Sequence, residues 1–164
     1  MTGICGGTVA AAGAWYYAGT ANADDYPSND SSNGTAYMIS SNVSTLTTGN
    51  VTKLSILGNH YIETGCKIAL YKWSSGDSHW DKLVEQTYGP LDTLVWLDVD
   101  VTSTAVSSSD TLTIGNVCDG AYYWSFKSDA GVHHWASVTY PTLPDPMTGP
   151  GNGTVAYGLR MWIE

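Results

Sequence analysis

Long apolar runs are missing from this chain: none of its 164 residues belongs to a stretch near the roughly 20 apolar residues a membrane helix needs. Membrane insertion is therefore not expected. Basic residues are few, six Lys and Arg against fifteen Asp and Glu, for a net charge of -9. Such a surface repels phosphate backbones and has no basic stripe to gather them, which argues against nucleic acid as a partner. No CxxC occurs, and with only Cys5, Cys66 and Cys118 a thiolate zinc site is not expected. The serine-nucleophile patterns GxSxG and SxxK are absent, as are phosphate-cradling glycine loops, so no catalytic residue is assigned and no enzyme is expected. The opening "MTGICGGTVAAAGAWYYAG" has neither the basic start nor the continuous apolar centre of a signal peptide.

Helical periodicity is nearly absent too. In its place, short alternating segments rich in Val, Ile, Thr, Tyr and Trp recur between Gly, Asn, Asp and Ser clusters. Nine strands are predicted, near 36–40, 51–57, 66–73, 82–87, 93–101, 111–115, 121–127, 132–138 and 154–163. Their spacing of about ten residues suits an antiparallel two-sheet β-sandwich and not βαβ units. The chain divides into an N-terminal arm, 1–35, and a single β-sandwich domain, 36–164. A domain of this size is long enough to bury a real core. The arm, "GGTVAAAGAWYYAGTANA" followed by "DDYPSNDSSNGT", reads as loop-like, with Trp15, Tyr16 and Tyr17 as anchors against its own sandwich or a neighbouring chain. The loop 140–153 carries four of the six prolines, which stiffen it.

Alternation assigns faces, because successive strand side chains point to opposite sides. In "TLVWLDVDV", Val95, Leu97, Val99 and Val101 are assigned to the core, leaving Trp96, Asp98 and Asp100 opposite. In "CKIALYKW", Ile68 and Leu70 point in while Tyr71 and Trp73 point out. In the last strand Val155, Tyr157, Leu159, Met161 and Ile163 share the core face, opposite Arg160 and Trp162. In "GAYYWSFKSD", Tyr122, Trp124 and Phe126 point in and Tyr123 out. Trp80 falls in a turn beside His79 and Asp81, and Trp135 on a noncore face. Tyr71, Trp73, Trp80, Trp96, Tyr123, Trp135 and Trp162 are thus the candidate ligand or interface aromatics. Tyr and Trp beside Asp and Asn suit sugars, and they equally suit subunit contacts. A third outcome is that the arm covers them.

Asp98 and Asp100 share a face about 7 Å apart, a separation like that of glycosidase carboxylates. A solvated outer face explains them better, because nothing in the sequence ties a third group to the pair. A calcium ion is the one cofactor considered, with Asp98, Asp100, Asp119 and Asp129 as candidate ligands. His133 and His134 are adjacent on a strand and cannot share a metal there. Cys66 and Cys118 end candidate strands and either pair or stay as small buried hydrophobes, with Cys5 left over.

The run "TGNVTKLSIL…CKIALYKW…DKLVEQT…VWLDVDVTSTAVSSSDTLTIGN…GAYYWSFKSD", about residues 49–130, resembles the galactose-binding-like jelly-roll modules of bacterial surface and phage structural proteins. The resemblance implies an eight- or nine-stranded jelly roll, noncatalytic, used for anchoring, carbohydrate contact or particle assembly. No ligand residue transfers with it. The expectation is a structural module on a virion or extracellular surface, with copies of itself or other particle proteins as partners. The rival is a carbohydrate-binding module using the outward aromatics, with glycans as partners.

Overall fold

Wherever apolar and polar residues alternate, strands form. The computed structural model describes residues 12–18, 28–32, 37–44, 47–60, 65–89, 91–119 and 122–164, and among them there is no helix. The strands are β1 (Ala14–Tyr17), β2 (Ser28–Ser32), β3 (Tyr37–Ser44), β4 (Gly49–His60), β5 (Cys66–Ser74), β6 (His79–Tyr88), β7 (Leu91–Val106), β8 (Thr111–Cys118), β9 (Tyr122–Ser137), β10 (Gly151–Tyr157) and β11 (Leu159–Ile163).

All pairings among the described strands are antiparallel. One group runs β1, β11, β4, β7. The other runs β6, β5, β8, β3, β9, with β2 and β10 also paired to β9. The groups join where Gly58 and Asn59 of β4 meet Trp124 and Tyr123 of β9. Between them lies a single buried cluster. Leu54, Ile56, Leu159 and Met161 enter it from the first group, and Ile68, Leu70, Leu112 and Ile114 from the second. Each such side chain contributes about 1.5–3 kcal/mol by leaving water. The arrangement is all-β and antiparallel, compatible with a β-sandwich.

Alternation assigned the main faces correctly in β5, at the end of β10 and in β11. Ile68 and Leu70 are buried in the core, as are Tyr157, Leu159, Met161 and Ile163. In β7, Val99 is buried, with Leu97 and Val101 packed against it. Val95 departs from this pattern and is 44% exposed, opposite Gly58 near the far end of β4. The inward reading of Tyr122, Trp124 and Phe126 concerns side chains outside the described ones.

Eleven strands are described where eight or nine were expected. The two strands expected near 121–127 and 132–138 are replaced by one 16-residue strand, β9, from Tyr122 to Ser137. The segment 154–163 splits into β10 and β11 at Gly158, where the Leu57 side chain occupies the space a Cβ would need. The loop-like reading of the arm is also corrected. β1 pairs with β11, and β2 with the first half of β9, so residues 14–17 and 28–32 are part of the sheets. Hydrogen bonding of its backbone to β11 turns a segment with little alternation into an edge strand.

Cys66 and Cys118 are directly opposed on β5 and β8 and form a disulfide, with Cα atoms 4.1 Å apart. Cys5 lies outside the described residues. Beside the disulfide, the Tyr88 hydroxyl donates to Asn116 Oδ1 at 2.6 Å, which satisfies a buried amide inside the core.

The outer face of β5 is not left to solvent. Ala69, Tyr71, Trp80 and Val117 form a second buried cluster with Leu143 and Met147 of the loop before β10. Met147 pairs its backbone with Trp80 in both directions, and the Tyr71 hydroxyl donates to Pro144 O at 3.0 Å.

Candidate functional site

On the outer face of the β6, β5, β8, β3, β9 group, the end of the β5–β6 hairpin meets the start of β8, the last part of β9 and the turn into β10. A cleft of about 430 Å³ opens there. Trp73, Ser78 and Trp80 of the hairpin form one wall, and Thr111, His134 and Asn152 another, with Gly149 and Pro150 at the rim. Trp73 and Trp80 are register partners across the hairpin, and their rings stand edge to face at 5.3 Å. Trp80 in turn lies 5.0 Å from the His134 ring. Trp80 is buried while Trp73 is only partly so. The buried ring therefore holds its two neighbours in place, and Trp73 offers the accessible aromatic surface.

The sequence "GNG" at 151–153 builds the other wall. It pairs with "HHW" at 133–135, placing Gly151 opposite Trp135, Asn152 opposite His134 and Gly153 opposite His133. The rings of Trp135 and His133 lie over these glycines, in space that a Cβ would fill. Asn152 and His134 are left facing each other, with Nδ1 of His134 2.5 Å from Asn152 Oδ1. The amide oxygen only accepts, so the imidazole Nδ1 carries the proton and donates. Burial of the ring holds its pKa below the ordinary imidazole value, although the Asn152 bond pulls the other way. The imidazole is neutral at neutral pH.

The loop over Tyr71 is tied down beside this cleft. Lys82 Nζ reaches Glu85 at 2.9 Å and donates to Leu143 O at 3.2 Å, while Lys67 reaches the other Glu85 oxygen at 2.7 Å. Hydrogen bonds from Lys67 and then Lys82 hold the Glu85 carboxyl below its usual range. Burial pushes the Tyr71 phenol well above its ordinary value.

The opposite outer face, on β1, β11, β4 and β7, gathers the other aromatics. The Arg160 guanidinium lies 4.0 Å from the Trp15 ring centre and 4.4 Å from that of Trp96. It also bonds Asp98 at 2.9 Å. Tyr17 meets Trp96 at 6.0 Å, and Trp15 meets Trp162 at 5.4 Å. Tyr16, by contrast, packs against the core. Here the arm does cover the expected platform: Trp96 and Trp162 contact the rings of β1.

Several sequence expectations change on these positions. Tyr71 does lie on the face away from the main core, yet it is fully buried, because the loop before β10 covers it. Trp80 belongs to strand β6, not to a turn, and is buried for the same reason. Trp135 is 47% exposed, as a surface aromatic should be. Its register partner Ile39 leads to Asn116 in the core, so it shares the core-side face at the margin of the sheet. His134 is the outward histidine, and His133 meets Tyr157 at 5.5 Å. Tyr123 pairs with Ser31 and Asn59, but its side chain lies outside the described ones.

Asp98 and Asp100 share a face as expected, but each is matched by a cation, Arg160 and Lys53 respectively. Hydrogen bonding to Asp100 raises the Lys53 pKa in return. Asp119 follows β8, which does not pair with β7, and the Asp129 side chain lies outside the described ones. Among the described residues no three His, Cys, Asp or Glu side chains come together as a metal site. None of them forms a helix long and apolar enough to cross a membrane. His134, Asn152, Thr111 and Ser78 were not singled out as site residues from sequence. The pairing of "GNG" with "HHW" is the signal that would have exposed the first two. A scan of protein-family models finds no match for the chain, and a search of the curated proteins finds no matching relative.

Proposed function

We propose that this chain is a noncatalytic binding module whose cleft beside Trp73, Trp80 and His134 holds a carbohydrate. The observation that carries the reading is the cleft itself. An accessible indole sits across about 430 Å³ from a neutral imidazole and an amide, with hydroxyls at Ser78 and Thr111. A sugar ring presents an apolar C–H face to an indole and hydroxyls to polar groups at its edge, so this combination suits it. The scaffold is read as a jelly roll. In support, from β3 onward the chain crosses between the two groups at β3–β4, β4–β5, β6–β7, β7–β8 and β10–β11, and stays within one group only through the β5–β6 hairpin and from β8 to β10. Trp73→Ala is expected to abolish Trp-fluorescence changes on glycan titration while leaving the thermal transition cooperative. A broad glycan array with no signal would count decisively against the reading.

Display on a virion or extracellular surface is the second part of the proposal. The Cys66–Cys118 disulfide supports an oxidising location. The exposed Trp135 offers a contact for another copy or another particle protein. A chain that sediments as a monomer over a wide concentration range, alone and with glycan, would remove self-assembly.

A further inference from the structure

The cleft has a chemical character beyond its shape, and it bears on which sugars fit. None of its described lining side chains carries a charge at neutral pH. Trp73, Trp80, Ser78, Thr111 and Asn152 have none to carry, and His134 is held as the Nδ1–H neutral ring by Asn152 Oδ1. A carboxylate or sulfate entering such a site would lose water without gaining a counter-charge, a cost that only an ionic partner offsets.

No such partner is at hand among the described side chains. Five of the six basic residues are described, and each already faces a carboxylate. Lys53 pairs with Asp100, Lys67 and Lys82 with Glu85, Lys72 with Asp110, and Arg160 with Asp98. The sixth, Lys127, pairs with Ala156, four residues along β10 from the Asn152 that faces His134, roughly 13 Å away at strand rise. The net charge of -9 adds a long-range repulsion of anions.

We infer that the cleft selects uncharged sugars and rejects uronic, sialic and sulfated ones. The inference rests on the carbohydrate reading above and narrows it. Two sources of rejection act together and separate by salt. The long-range part fades as ions screen it. The uncompensated desolvation inside the cleft does not.

The test is a glycan array carrying neutral glycans beside counterparts that differ by a uronate, sialate or sulfate, probed with the full chain and with Trp73→Ala. Hits on the full chain should be neutral glycans, at least tenfold preferred over their acidic counterparts, with most of that preference persisting in high salt. Thr111→Arg, a substitution at an exposed strand position in the cleft wall, supplies the missing cation and should move the ratio towards the acidic member. Acidic glycans bound as well as neutral ones, and lost with Trp73→Ala, would overturn the selectivity and leave the cleft reading standing. An unchanged ratio in Thr111→Arg would also overturn it. No retention of any glycan, or retention unaffected by Trp73→Ala, would overturn both.

Discussion

On the outer face of β1, β11, β4 and β7, Arg160 lies between Trp15 and Trp96 and binds Asp98. On the outer face of β6, β5, β8, β3 and β9, Trp73 and Trp80 stand edge to face beside a cleft. Both faces are rich in Trp and polar groups, and composition does not tell them apart. What differs is the partner each ring has found. On the first face the aromatic and charged groups pack against one another, because an added edge strand brings Trp15 and Tyr17 over the platform. On the second, the covering loop stops at Met147 and Gly149, so Tyr71 and Trp80 are buried but the indole of Trp73 is left accessible. An exposed aromatic is therefore a functional signal only after the neighbouring segments have been placed.

The largest effect expected from this contrast comes from Trp80→Ala. Its ring is 3% exposed and touches both Trp73 and His134. Truncation should cost about 3–5 kcal/mol of stability, read from the urea midpoint, and should also abolish glycan binding. If the protein loses stability but keeps its affinity, the cleft is not the ligand site and the contrast between the two faces collapses.

Next in size is Arg160→Ala on the closed face. Of its three cation–π contacts, the two close ones over Trp15 and Trp96 contribute roughly 0.5–1 kcal/mol each, and the one over Tyr17, at 5.9 Å, adds little. The Asp98 carboxylate is 44% exposed, so that ion pair adds little after solvent screening. A loss of about 1–2 kcal/mol is expected from these terms, with glycan affinity unchanged. Loss of binding in this variant would transfer the site to the Trp15 and Trp96 face.

How far these faces could be foreseen follows from the range of each signal. Side-chain alternation is local, so it placed Arg160 and Trp162 opposite Met161, and Trp96 opposite Leu97, without further information. It also put Tyr71 and Trp73 on one face. It could not say that residues about 70 positions later would cover Tyr71 and spare Trp73, since coverage depends on long-range chain path. The same limit applies to the arm, whose low alternation concealed an edge strand supported by β11. At 132–138 the error was one of phase. Trp135 was assigned to the outer face, whereas pairing with β3 and β10 turns its neighbour His134 outward. The candidate cleft was half legible: Trp73 and Trp80 were singled out from sequence, but their polar neighbours arrive through the pairing of "GNG" with "HHW".

The smallest expected effect concerns the ion pairs that fasten the loop on the open face. Lys67 and Lys82 both bind Glu85, and Lys82 carries that tie to Leu143 O. The Glu85 carboxyl is consequently held below its ordinary value of 4.5 in the folded chain. A carboxyl depressed in this way binds protons more readily when unfolded than when folded. Its contribution is therefore complete above the unfolded value and is lost as pH falls through the folded one. Because the Glu85 side chain is 33% exposed, the contribution is screened and should stay under about 1 kcal/mol. Glu85→Gln should accordingly be slightly less stable than the parent at neutral pH, and the two should converge in acid, as read from urea midpoints across that range. If the loop tie supports the cleft, glycan affinity of the parent will fall in acid and Glu85→Gln will show the weaker affinity already at neutral pH. Equal affinities at neutral pH would confine the ion pairs to stability and leave the shape of the open face to Trp80 and Met147.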